Sequence, residues 1–256
     1  MSVTSRGFTI DYSSEGDGPP LMLIAGTLSA AKHWQDFGYT ATLARDWRII
    51  NVDPLGHGAS DTPHDPDAYH AAGVTADLVA VLDAEGIDRV TAWGYSRGGW
   101  LACSLASRYP DRVDRIVVGA YAMNAHDDEA GRLLEPLAAF LRRGDWSALW
   151  QALNVTDQEF AHMMETSNDP LAVAAAIDGS LRPTRFVDPT TIRCPATYYV
   201  GSADWIVPHV RSDVGALDAT LDVITGQDHM GSFFAAAHQV LPAVAARLSG
   251  RPLQGA

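Results

Sequence analysis

Ser96 stands in the run Trp93-Gly94-Tyr95-Ser96-Arg97-Gly98-Gly99, with a glycine two residues away on either side. The run follows Val90-Thr91-Ala92-Trp93, which reads as a buried strand, and opens into Trp100-Leu101-Ala102-Cys103-Ser104-Leu105-Ala106, which reads as a helix. Gly94 to Gly98 thus fits G-x-S-x-G in the strand-to-helix context that motif requires. So tight a turn holds the serine in strained backbone geometry, and neighbours two residues off must lack side chains. It lifts Ser96 Oγ clear of the sheet, aims the Arg97 amide at the same spot, and adds the positive end of a helix. A hydroxyl so placed is a candidate nucleophile, although G-x-S-x-G by itself is also compatible with a glycine-rich turn carrying a passenger serine.

A serine needs a base, and the base needs an orienting acid. Asp204 lies in Gly201-Ser202-Ala203-Asp204-Trp205-Ile206-Val207-Pro208, and His229 in Gly226-Gln227-Asp228-His229-Met230. Each loop follows an apolar run that reads as a strand. The chain order Ser, Asp, His is the one expected with a nucleophile elbow. Gly26-Thr27, after the first buried strand, is a fourth loop at the same edge, where ligands of open α/β sheets bind.

The elements that must carry these loops alternate. Strands are expected at Phe8–Tyr12, Leu21–Ala25, Trp47–Val52, Val90–Trp93, Arg115–Tyr121, Ala196–Val200 and Leu221–Thr225. Ser13 to Pro20 reads as a turn. Helices are expected at Ala30–Arg45, Tyr69–Glu85 with Gly86 as C-cap, Val207–Leu217 and Gly231–Leu248. This alternation predicts an α/β fold with a doubly wound, mostly parallel sheet. From about His126 to Asp188 the pattern turns purely helical: Asp128–Arg143, Asp145–Leu153, Asp157–Thr166 and Pro170–Leu181. We read residues 1–256 as one domain, with these helices inserted at about 126–188 and able to cover the sheet's C-terminal edge.

On these motifs the chain resembles the α/β-hydrolase superfamily over nearly its whole length. Asp53-Pro54-Leu55-Gly56-His57-Gly58-Ala59-Ser60-Asp61 is similar to that family's D-x-x-G-x-G-x-S loop. One departure is Ala25-Gly26, where the family usually has His-Gly; the histidine normally braces the loop, and the Thr27 amide can still donate. Serine rather than aspartate at the elbow argues against the haloalkane dehalogenase and epoxide hydrolase branches. The resemblance implies that Ser96 attacks a carbonyl, His229 moves the proton and Asp204 orients His229. It also implies that the Thr27 and Arg97 amides hold the oxyanion, with no metal or cofactor required. The activity implied is cleavage of a carboxylic ester, thioester or lactone of small to medium size. Alternatives on the same fold are C–C bond hydrolysis, perhydrolysis, elimination or cofactor-free oxygenation; a non-catalytic ligand receptor is a further one, against which the intact Ser, Asp and His speak.

Other residues have simpler readings. His57 reads as a loop hydrogen-bonder and Asp228 as exposed. His64-Asp65-Pro66-Asp67 with His70 reads as a solvated loop rather than a metal site. His126-Asp127-Asp128-Glu129 reads as the acidic start of a helix. Trp146, Trp150, Phe160, Met163 and Met164 either line an apolar acyl pocket or hold the inserted helices together, and Trp146, Met163 and especially Trp205 are carried forward as pocket candidates. Arg97 is costly to bury alone. The simpler expectation is an ion pair with a carboxylate, or bonds to backbone carbonyls, of the inserted helices; the other is a carboxylate on the substrate.

Composition narrows the partners. With 18 basic against 31 acidic residues the net charge is -13, poorly suited to nucleic acid or anionic membranes. Cys103 and Cys194 suit reduced thiols better than a disulfide framework. No apolar run reaches membrane-spanning length, and the first residues lack a signal-peptide core, so a cytoplasmic protein acting on a small molecule, monomeric or homodimeric, is expected.

Overall fold

The computed structural model describes residues 1–123, 127–181, 187–217 and 219–248. Its frame is an eight-stranded sheet: β1 (Ser2–Ser5), β2 (Phe8–Glu15), β3 (Pro20–Ile24), β4 (Arg48–Val52), β5 (Val90–Tyr95), β6 (Val113–Gly119), β7 (Ala196–Gly201) and β8 (Thr220–Ile224). The spatial order is β1-β2-β4-β3-β5-β6-β7-β8, antiparallel where β1 meets β2 and β2 meets β4, parallel elsewhere. Every residue of β5 is buried, as a central strand covered on both faces requires. Val90 and Ala92 face one apolar layer, Trp93 and Tyr95 the other.

The first layer packs under α3 (Ala71–Ala84), α4 (Arg97–Arg108) and α9 (Val207–Leu217); the second packs under α1 (Ala31–Asp36), α2 (Tyr39–Leu43), α10 (Gly231–Phe234) and α11 (Ala237–Leu248). The second layer is an aromatic block: Trp34 meets Tyr39, Trp93 and Phe233 edge-on at 5.0, 5.6 and 4.6 Å, and Tyr39 stacks on Phe233 at 5.1 Å. Four helices come between β6 and β7: α5 (Asp127–Arg142), α6 (Trp146–Ala152), α7 (Gln158–Thr166) and α8 (Pro170–Ser180). They form a third apolar cluster that includes Leu28, from the loop after β3. His126, where the helical block was expected to begin, lies outside the described residues.

Three sequence expectations need correcting. The helix expected over Ala30–Arg45 is two, broken at Gly38, whose φ of +81° no helix accepts. The helix expected over Gly231–Leu248 is also two, α10 and α11, parted at Ala235 and Ala236. Ser13 to Glu15, read as turn, continue β2 by pairing with Ile49, Ile50 and Asn51 of β4, and β1 was not expected at all. Among the described residues no helix is long and apolar enough to cross a membrane.

Candidate active site

The four suggestive loops meet at the C-terminal ends of the parallel strands. Ser96 joins β5 to α4 with φ 53° and ψ -117°, a backbone conformation that L-residues avoid. Its amide donates to Gly119 O at 2.7 Å, tying the turn to β6. Glycine is demanded on both sides: a Cβ on Gly94 would sit 1.9 Å from Gly98 O, and one on Gly98 would sit 2.1 Å from Ile24 O in β3.

Asp204 is held after β7 by its own amide, which donates to Gly201 O at 3.0 Å, and its side chain is fully buried. Its Oδ1 accepts from the Ile206 amide at 3.1 Å; its Oδ2 lies 2.8 Å from His229 Nδ1. A carboxylate only accepts, so Nδ1 carries the proton and Nε2 is left as the acceptor. Nε2 lies 3.0 Å from Ser96 Oγ. The hydroxyl therefore donates to a base whose far nitrogen is fixed by a dry carboxylate, an arrangement that can activate an oxygen nucleophile. Tyr95, beside the serine, donates its hydroxyl to His229 O and holds the His229 loop over β5.

The Thr27 and Arg97 amides border the same space, and neither has an acceptor among the described residues. The loop carrying Thr27 lacks the bracing histidine at Ala25, yet a histidine braces it from the far side. His33 Nδ1, in α1, accepts from the Ala30 amide at 3.0 Å and faces Ser29 Oγ at 3.1 Å. Asp53 accepts from the Ala31 and Ala59 amides at 2.6 and 2.9 Å, and Asn51 donates to Ala31 O at 2.7 Å. From the other side, Asn168 donates to Leu28 O at 2.9 Å, where Leu28 sits at φ 62°. None of Tyr95, His33 and Asn168 stood out in the sequence.

A pocket of about 570 Å³ opens on Ser96, His229, Thr27 and Arg97. Trp205 lines it and is 43% exposed at its edge. Trp146 and Met163, expected in the lining, are not there. Trp146 stacks on Trp150 at 5.7 Å, and Met163 packs in the cluster internal to α5–α8. That segment instead offers Leu133, Leu134, Leu137, Leu153 and Ile177 to the pocket.

Among the described residues, the partner expected for Arg97 in the inserted helices is also missing. The side chain is 7% exposed, and none of its guanidinium nitrogens has a hydrogen-bond partner. Three carboxylates of that segment bond elsewhere: Asp178 to Arg142, Glu165 to Trp150 Nε1, and Asp169 to the first amides of α8 and to His64. His64 is thus paired rather than merely solvated. His57 is fully buried, with Nδ1 3.3 Å from Leu55 O, and Asp228 is exposed and caps α10 by accepting from the Gly231 amide at 2.7 Å.

The model of the alpha/beta hydrolase fold family matches residues 19–231. Among curated proteins, 2-hydroxymuconate semialdehyde hydrolase of Pseudomonas sp. (strain CF600) is 36% identical over 118 residues, 45% of this chain and 41% of that one. An uncharacterized protein of Mycobacterium tuberculosis (strain ATCC 25618 / H37Rv) is 37% identical over 116 residues, 45% of this chain and 33% of that one. The matches thus span a third to two fifths of those relatives' length. Among solved structures, the enol-lactonase from Burkholderia xenovorans LB400 superposes with a TM-score of 0.82 at 21% identity, covering 97% of this chain and 100% of that one. A thermophilic esterase from Thermogutta terrifontis gives 0.81 at 20% identity, covering 97% and 96%. At these identities the structural likeness is one of fold.

Gly98→Ala is expected to cost about 1–3 kcal/mol or more in urea unfolding, since the added methyl meets the backbone of β3 and not a movable side chain. Full stability in that variant would mean the elbow is looser than its contacts imply.

Two buried histidines contribute to a loss of stability in acid. Burial chiefly, with Lys32 adding, holds His33 down to about 4; burial, with Arg97 adding, holds His57 down to about 3. Unfolded, each titrates near 6.5, so below that pH the unfolded chain binds more protons than the folded one. Their stabilisation is complete above pH 6.5 and drains away as pH falls toward 4 and 3, at up to about 1.4 kcal/mol per pH unit for each histidine. His33→Asn should therefore show a shallower loss of urea midpoint between pH 6.5 and 4 than the parent; equal slopes would remove His33 from this account.

Proposed function

The chain belongs to the alpha/beta hydrolase fold family, and within it we propose a serine hydrolase that cleaves a carboxylic ester, thioester or lactone through an acyl-enzyme on Ser96. The observation that carries this reading is the unbroken line Asp204 Oδ2, His229 Nδ1, His229 Nε2, Ser96 Oγ, at 2.8 and 3.0 Å. In acylation, His229 Nε2 takes the hydroxyl proton as Ser96 Oγ adds to the carbonyl carbon. The imidazolium that forms is stabilised by Asp204 and then protonates the leaving group. The oxyanion lies against the Thr27 and Arg97 amides at the N-terminus of α4, where the helix dipole adds to the donors. In deacylation, His229 draws a proton from water, and collapse of the second tetrahedral adduct frees Ser96.

The helices α5 to α8 act in this proposal as a cap. Their apolar residues face the triad across the pocket, and Asn168 links them to the loop of Thr27. A wall of leucines suits an acyl chain or ring with a largely apolar body. A second reading, C–C bond hydrolysis with the same three residues, is favoured by the similarity to 2-hydroxymuconate semialdehyde hydrolase. It differs in the bond cleaved, and an assay of esters against 2-hydroxymuconate semialdehyde separates the two.

A fluorophosphonate probe should label Ser96, shown by mass spectrometry of the modified peptide. Ser96→Ala, His229→Ala and Asp204→Asn should each lower kcat by ~10⁴-fold or more on whatever ester the protein accepts, and double variants should lose little further, because the three act as a unit. Near-normal turnover in Asp204→Asn would place the acid elsewhere. Within the cap, Leu137→Ala should shift acyl-length preference with little change in melting temperature. Trp146→Ala should do the reverse and lower the melting temperature, as its stacking on Trp150 requires.

A further inference from the structure

Arg97 is a buried charge that the described residues leave unanswered. Among the described residues its guanidinium has neither a carboxylate nor a carbonyl as partner. The described side chains around it are uncharged at neutral pH. The Trp100 ring lies 5.7 Å away. Tyr69 is a phenol whose hydroxyl donates to Pro63 O at 2.6 Å. Burial keeps His57 neutral, and its Nε2 is also without a partner. Arg97 is moreover the first residue of α4, where the helix already presents its positive end. A buried cation at a positive helix terminus is unfavourable on three counts: lost hydration, unmade hydrogen bonds and repulsion from the dipole. One missing component relieves all three, and it is an anion.

The position of Arg97 says where that anion comes from. The residue adjoins Ser96 and lines the pocket together with Trp100, Ile177 and Ser180. The acidic residues of the lining are committed, Asp204 to His229 and Asp228 to the Gly231 amide. A second cation, Arg132, is exposed in the same lining. The lining thus holds two cations against two carboxylates, and both carboxylates already have partners within the chain. We propose that Arg97 receives a carboxylate borne by the acyl part of the substrate, so that the substrate class is the esters or lactones of dicarboxylic acids; this rests on the serine hydrolase reading above. The unliganded guanidinium is closed off from solvent. Its long side chain turns toward the pocket when the carboxylate arrives, and the planar fork then makes two parallel charge-assisted bonds. The leucines of α5 pack on the carbon chain between the two carboxyl groups.

The test compares the para-nitrophenyl monoester of adipic acid with para-nitrophenyl hexanoate, matched in length and leaving group, on the parent, Arg97→Met and Arg97→Gln. The parent should prefer the acidic ester. The ratio of kcat/KM, acidic over neutral, should fall ~10-fold or more in both variants. Removing a buried unpaired charge should leave the melting temperature of Arg97→Met unchanged or raised. Equal losses on both esters, or a parent indifferent to the acid group, overturn the proposal, as does a lower melting temperature with an unchanged ratio, which makes Arg97 structural. If one variant does not fold, the other decides. If the parent hydrolyses neither ester and no fluorophosphonate labels Ser96, the serine hydrolase reading has failed, and free adipate becomes the probe. A rise in melting temperature with adipate that is absent in Arg97→Gln upholds the carboxylate site. No rise, or an equal rise with sodium chloride at the same ionic strength, overturns it in favour of a simple ion site.

Discussion

A serine held at φ 53°, ψ -117° is the constraint on which the rest of this structure depends. Nothing local favours that conformation, so it must be imposed by surroundings that cannot give way. The sheet supplies them. A Cβ on Gly98 would lie 2.1 Å from Ile24 O of β3, one on Gly94 would lie 1.9 Å from Gly98 O, and the Ser96 amide is bonded to the end of β6. β5 lies between exactly those two strands and is buried along its length. The aromatic block of Trp34, Tyr39, Trp93 and Phe233 fills the layer beneath, where edge-to-face contacts leave little room for adjustment. The cost of the turn is thus spread over the centre of the core.

The same rigidity distributes charge unevenly around Ser96. Asp204 is buried but satisfied, with one oxygen on a backbone amide and the other on His229. Arg97 is buried and unsatisfied. Both sit at one pocket, and the difference between them follows the chemistry assigned to each. In the reading proposed above, Asp204 works on a partner already inside the chain, so its environment can be complete before substrate arrives. Arg97, whose partner the same proposal brings in with the substrate, has to be left incomplete, and stability is lost there in exchange for selectivity.

How much of this could be read from sequence depended on the distance along the chain over which each interaction acts. The alternation of strands and helices, the elbow and the order Ser96, Asp204, His229 are local patterns, and the structure places all three residues at one sheet edge. Gly38 is local too, but its break was hidden by helical spacing on both sides. β1 is four residues long, and its pairing with β2 gives no periodicity to detect. Tyr95 holding His229 across 134 positions, and Asn168 holding Leu28 across 140, have no sequence signature at all. Trp146 and Met163 show the opposite failure: large apolar side chains on inserted helices suit a pocket or a helix–helix core equally, and only packing separates the two.

The loop of Thr27 depends on the core and on the inserted helices alike. With Ala25 where a bracing histidine is usual, its geometry has to be fixed from outside. His33 and Asp53 fix its exit into α1, while Asn168 fixes Leu28 from the end of α7. One anchor therefore belongs to the rigid α/β core and the other to the helices that wall the pocket. If, as proposed above, the Thr27 amide holds an oxyanion, it is correctly aimed only while those helices are seated, because Leu28 at φ 62° has no intrinsic reason to stay where it is. On that proposal a substrate that draws the helices down on the pocket settles Thr27 by the same contact, so that binding the acyl group and completing the oxyanion site become one event.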